Sequence, residues 1–179
     1  MSYRRDIVTS ETNSKPLVAR RAWLLLIIII TAVLQNTGIF PPRILGVSAL
    51  PLLPLAICIS MFEREWAGIM LCVVAGVFCD IPMATGDGFY AIFFLIVCFI
   101  SGLLITSRMR NNLLTALLIG SVTCVLQALI YWLVFYVSEG YGQNLFFTFY
   151  LPSAFYSFLF VPVFYFIVRA IFGKYQTEI

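Results

Sequence analysis

Residues 66–106 read WAGIMLCVVAGVFCDIPMATGDGFYAIFFLIVCFISGLLIT. Two apolar runs, Trp66–Ala84 and Phe89–Thr106, flank the turn sequence Thr85-Gly86-Asp87-Gly88, which contains no lysine or arginine. Each run is close to the ~20 residues an α-helix needs to cross a hydrocarbon core of about 30 Å. Inside the two runs only Asp80 is charged. Apolar runs of that length folded back on each other across a tight polar turn read as a pair of membrane-spanning helices.

Working outward, the pattern repeats. Upstream, Glu63-Arg64-Glu65 makes a charged turn after a run at Ile44–Phe62, and Arg20 and Arg21 precede a first run at Ala22–Phe40. Downstream, Arg108 and Arg110 mark the next turn, before a run at Leu113–Val137. After the glycine-rich turn 138–144, apolar sequence continues to Phe172, too long for one upright helix at ~1.5 Å per residue. Pro152 in a first turn trims it to a single span and leaves Phe146, Phe147, Phe149 and Tyr150 near the interface. The second run holds Pro51 and Pro54, and two readings stand: one kinked helix, or an irregular segment followed by a short helix opening at Pro51. The second is favoured, because proline suits a first turn better than an interior. The expected fold is therefore all-α and integral to the membrane, with about six spans. Residues 1–19 form a polar tail, 20–172 the membrane domain and 173–179 a short second tail. The long first run reads as an uncleaved signal anchor.

Composition agrees. The chain of 179 residues is 62% hydrophobic and 11% charged, with mean hydropathy +1.02, which leaves too little polar surface for a water-soluble domain. Ten of the eleven basic residues (Arg4, Arg5, Lys15, Arg20, Arg21, Arg64, Arg108, Arg110, Arg169 and Lys174) fall in alternate turns and the tails, and only Arg43 falls in the others. Basic residues concentrate on the cytoplasmic side, so both termini are expected there. The net charge of +3 forms no basic stripe interleaved with aromatics, which disfavours nucleic-acid binding. Cys58, Cys72, Cys79, Cys98 and Cys124 all lie in apolar runs and read as packing residues. The chain has no histidine, which removes Ser-His and Cys-His catalysis and most zinc sites. No cofactor or metal is expected.

Polar residues inside the spans stand out against this background. Gly68, Cys72, Gly76 and Asp80 recur every four residues and share one helix face. The small ones read as a helix-packing seam, since close backbone approach drives association in lipid. Asp80 is costly in hydrocarbon unless partnered. By position it shares the outer half of the membrane with Gln35, Asn36 and Gln127. Those four residues either form a polar cluster that binds a partner or ligand around Asp80, or merely fix helix packing, or Asp80 is an aspartate at headgroup level. Arg43, Asp87 and Glu139 read as solvated charges on outer turns. An intramembrane enzyme acting on lipid would need at least two convergent polar groups for acid–base work, and Asp80 has no histidine or second intramembrane acid beside it.

These features resemble the MreD family, small membrane proteins of the bacterial rod-shape (elongasome) system. The likeness rests on Leu34-Gln35-Asn36 closing the first span, Pro51 opening an apolar run, and Gly76-Val77-Phe78-Cys79-Asp80, a glycine-xxx-aspartate pattern. Gly88, Gly102, the basic turn at Arg108 and Arg110 and the short basic tail agree. Cys72 stands where many members have glycine. The resemblance, over residues 20–172, implies a non-enzymatic scaffold of lateral cell-wall synthesis that binds an MreC-like single-span protein and works with the actin-like MreB. It also implies a six-helix arrangement related to the substrate-capture subunits of energy-coupling-factor transporters. A small-molecule-binding subunit of that kind is the rival reading. Those subunits often carry an alanine-xxx-alanine seam on their first helix; here Leu26 follows Ala22 and Asn36 follows Ala32.

Overall fold

In the computed structural model, described for residues 14–38, 48–63, 66–82, 88–107, 111–134 and 150–174, the described residues form seven helices and no strand. These are α1 (Ser14–Asn36), α2 (Leu52–Phe62), α3 (Trp66–Asp80), α4 (Phe89–Ser107), α5 (Leu113–Trp132), α6 (Leu151–Phe158) and α7 (Phe160–Lys174). Each apolar run turns helical because backbone N–H and C=O groups must satisfy one another where water is absent.

The boundaries have local causes. α1 ends where Gly38, at φ +68°, donates its N–H to the Gln35 carbonyl (3.2 Å). Pro51 caps α2, which begins at Leu52 and carries Pro54 in its first turn, where no amide donor is required. α3 stops at Asp80, before the Ala84 expected from sequence; Pro82 follows two residues later, and proline disfavours helical backbone just before it. The final run, expected as one helix from Pro152, is broken at Leu159 into α6 and α7. The cause is Pro162, which lacks an N–H and whose ring collides with the carbonyl four residues back, at Phe158.

Among the described residues, four stretches are long and apolar enough to cross a membrane: Leu17–Asn36, Phe89–Thr106, Leu113–Trp132 and, across the break, Leu151–Lys174. The expected second and third spans are shorter, at 11 residues for α2 and 15 for α3. At ~1.5 Å per residue α2 is about 16 Å long, roughly half a hydrocarbon core.

α2 is also the centre of the fold. Every residue from Leu52 to Met61 is buried, and α2 packs against all six other helices. A helix that is apolar all round must be enclosed. The helices around it bury one stripe each, as α1 does with Leu24, Ile28 and Ala32. They turn apolar side chains such as Trp23, Ile30, Ile92, Phe99 and Val122 outward, the arrangement lipid requires.

Candidate functional site

The four polar residues singled out from sequence all lie at one end of the bundle, and three of them satisfy helix termini. The carboxylate of Asp80 accepts the N–H groups of Tyr90 (Oδ1, 3.0 Å) and Ala91 (Oδ2, 3.0 Å). These belong to the first turn of α4, whose N–H groups have no partner within their own helix. Gly88, which precedes α4 at φ +66°, has no side chain to cap it. Asp80 supplies that cap from the end of α3, and its negative charge meets the positive end of the α4 dipole. The side-chain oxygen of Gln35 accepts the N–H of Leu52 (3.2 Å), the first residue of α2, while its amide donates to Cys79 Sγ (3.6 Å). Asn36 donates to the Phe78 carbonyl (3.0 Å), near the end of α3. The apolar helices need these partners because lipid offers none.

Gln127 reaches the same neighbourhood by another route. Its amide donates to the hydroxyl of Tyr90 (3.2 Å) rather than to Asp80. Tyr90, buried to 3% exposure, joins the two: its backbone meets Asp80 and its hydroxyl meets Gln127. Phe89 and Tyr90 pack on Tyr131 of α5, with ring centroids 5.6 and 5.8 Å apart, and Tyr131 packs on Tyr150 at 5.9 Å. Sequence reasoning did not single out Tyr90. The available signal was its place in the first turn of a helix that opens after glycine, opposite an acid ending the previous helix. Arg43, Asp87 and Glu139 lie outside the described residues.

The small residues of α3 do three different things. At Gly76 a Cβ would stand 2.7 Å from both the Ala91 Cα and the Tyr90 carbonyl, so glycine is what lets α3 and α4 touch beside the Asp80 cap. Cys72 donates its S–H to the Ala56 carbonyl of α2 (3.3 Å). Gly68 faces the backbone of Glu63 rather than a neighbouring helix.

Gly68 therefore seats a second cluster, at the opposite end, that sequence reasoning read only as a charged turn. Glu63 sits 2.7 Å from Arg20 Nη2 and 3.2 Å from Arg21 Nε, with its side chain 1% exposed and that of Arg20 12% exposed. The Arg20 guanidinium lies 4.3 Å from the centre of the Phe172 ring, and Phe172 packs on Phe62 at 5.3 Å. Asn111 donates to the Met61 carbonyl (3.1 Å) and its own carbonyl accepts from the Tyr165 hydroxyl (3.4 Å). The start of α1, the α2–α3 turn, the start of α5 and the end of α7 are thus fastened at one level.

Chemically, both clusters are built to hold helices. Both Asp80 oxygens are engaged by N–H groups, and Glu63 is engaged by two guanidinium groups. Among the described residues no group of three His, Cys, Asp or Glu side chains converges to hold a metal ion.

The sequence model of the family described as "rod shape-determining protein MreD" matches residues 19–175. No curated protein and no solved structure matches the chain.

Proposed function

The chain belongs to the MreD family of rod shape-determining membrane proteins, and from that premise we propose that it is a non-enzymatic scaffold for lateral cell-wall synthesis, binding an MreC-like single-span partner in the bacterial inner membrane. The observation that carries this reading is the family match across nearly the whole chain, from residue 19 to residue 175. The geometry of the polar groups supports it. Asp80, Gln35 and Asn36 are committed to helix ends and Gln127 to the Tyr90 hydroxyl, which favours a rigid frame over acid–base chemistry.

The distribution of charge supports an orientation. Arg20, Arg21, Arg169 and Lys174 belong to the end that also holds Glu63, whereas Asp80 alone among the described charged residues belongs to the other. Basic residues favour the cytoplasmic face. The Arg20 end then faces the cytoplasm with both termini, the chain crosses six times with α2 and α3 as short passes, and the Asp80 end faces outward. On this reading the partner meets the Asp80 end, where Asn36 and Thr37 are exposed beside the cap.

Co-purification tests the proposal directly. The full chain, expressed with the single-span coiled-coil protein of its host, should retain that partner through detergent extraction, and depletion should round a rod-shaped host. Retention of no such partner, together with normal cell shape on depletion, would sink the scaffold reading.

A further inference from the structure

α1 and α3 pack side by side, and their polar groups sit at the same two levels. At one level Arg20 and Arg21 meet Glu63, just before α3 starts at Trp66. At the other, Asn36 donates to the Phe78 carbonyl (3.0 Å) and Gln35 to Cys79 Sγ (3.6 Å), beside Asp80, where α3 ends. Between these levels both helices turn apolar side chains outward, from Trp23 to Leu34 on α1 and from Trp66 to Val77 on α3. Measured from Arg21 to Asn36, or from Trp66 to Asp80, the levels are about 22 Å apart at ~1.5 Å per residue. α5, which among the described residues packs against neither helix, is different. It exposes Leu114, Leu118, Val122, Val125, Leu129 and Leu133 along one stripe about 28 Å long.

We propose that the bilayer is thinned beside α1 and α3, and that this flank gathers phospholipids with short acyl chains, while the α5 flank meets hydrocarbon of ordinary thickness. A hydrocarbon core is about 30 Å deep, so the α1–α3 flank falls short of it by roughly 8 Å. Such a shortfall is met by thinning of the bilayer, by snorkelling side chains or by oligomerisation, and tilting would only increase it. Arg20 is not free to snorkel, because its guanidinium is held 2.7 Å from Glu63 and against Phe172. At the other level Asn36 and Asp80 have short side chains already bonded to Phe78 and to the start of α4. Asn36 and Thr37 are also exposed there, and they need headgroups or water at that height. A second chain laid over α3 would leave those groups where they are, so the lipid is the component that adjusts. The thinning requires α3 to cross as the short pass proposed above, and thiol labelling at Thr37 and Asn112 tests that crossing without reference to lipid chain length.

Fluorescence quenching by brominated lipids tests it on each flank separately. In the full chain with Trp23, Trp66 and Trp132 replaced by Phe, one tryptophan is introduced by Met70→Trp on α3 or by Val122→Trp on α5, both exposed positions. Each chain is reconstituted in phosphatidylcholine bilayers, where unbrominated lipids of 14- to 22-carbon chains compete with the brominated quencher. The α3 reporter should favour the 14-carbon over the 22-carbon lipid at least threefold, and the α5 reporter by less than 1.5-fold. Equal selectivity at the two reporters, or a preference for long chains at α3, would overturn the proposal. So would strong quenching at α5 with none at α3, because protein rather than lipid would then cover that flank. The wild type, extracted with its surrounding lipid by a styrene–maleic acid polymer, gives a second reading that needs no substitution. Its lipids should be enriched in the shortest-chain phospholipids of the host membrane, and a composition equal to that of the whole membrane would also overturn the proposal.

Discussion

Arg20 and Glu63 stand 2.7 Å apart in a pocket that leaves the carboxylate 1% exposed, with Phe172 covering the guanidinium. Removing one member of a buried pair costs about 3–5 kcal/mol, because the other charge is left without compensation. Glu63→Ala should therefore lower the melting temperature in detergent sharply, and Arg20→Ala should lower it less, because Arg21 still faces Glu63. The exchanged pair, Arg20→Glu with Glu63→Arg, should recover part of the loss. If the exchange recovers nothing, the pair is not what fastens this end.

Asp80 leads to a graded expectation. Asparagine keeps one acceptor oxygen for the α4 N–H groups, presents an amide to the other, and removes the charge facing the helix dipole. Asp80→Asn should cost about 1–2 kcal/mol, and Asp80→Leu, which orphans both N–H groups, about twice that. Membrane abundance and thermal melting read this ordering. If the proposed partner also contacts Asp80, Asp80→Asn should weaken co-purification by more than its loss of abundance accounts for. Equal behaviour of wild type and both variants would make the cap dispensable.

Two glycines should respond with opposite signs. A methyl group at Gly76 meets backbone of α4 at 2.7 Å, which cannot yield without moving the Tyr90 cap. Gly76→Ala should destabilise by roughly 1–3 kcal/mol. At Gly102 the nearest atom is the Ser60 carbonyl at 3.8 Å, an ordinary contact, and alanine favours helix over glycine by about 1 kcal/mol. Gly102→Ala should be neutral or stabilising in the same melting assay.

Orientation can be read with an impermeant thiol reagent, because all five native cysteines are buried and give little background. Thr37→Cys should label from outside intact cells, and Asn112→Cys only after the membrane is opened; both positions are exposed. The reverse pattern would invert the proposed topology.

Much of the frame is readable from the residues alone. α4 begins at Phe89 as expected, directly after Gly88, and ends at Ser107, one residue past the expected Thr106. Asp80, Gln35, Asn36 and Gln127 share a depth that follows from counting residues along helices. Other features were out of reach. Hydropathy cannot separate an apolar helix facing lipid from one enclosed by protein, so the central place of α2 is invisible until its neighbours are assembled. Gly68 fits a seam by spacing but serves the Glu63 backbone. The pairing of Glu63 with Arg20 and Arg21 joins positions more than 40 residues apart, which no local pattern announces. The break at Leu159 was signalled by Pro162, and the length argument at Pro152 obscured it.

The enclosure of α2 sets a different rule of substitution for that segment than for the rest of the chain. A helix on the rim can exchange Leu for Ile or Phe on its outer face at little cost, since the solvent there is fluid and conforms to any apolar shape. α2 touches no such solvent. Each of its side chains is met by a fixed neighbour, so exchange there is limited by volume, and an enlargement at one position calls for a matching reduction on whichever surrounding helix it faces. Divergence in the ten enclosed positions from Leu52 to Met61 should therefore be correlated with change elsewhere, while divergence on the rim is free to drift alone.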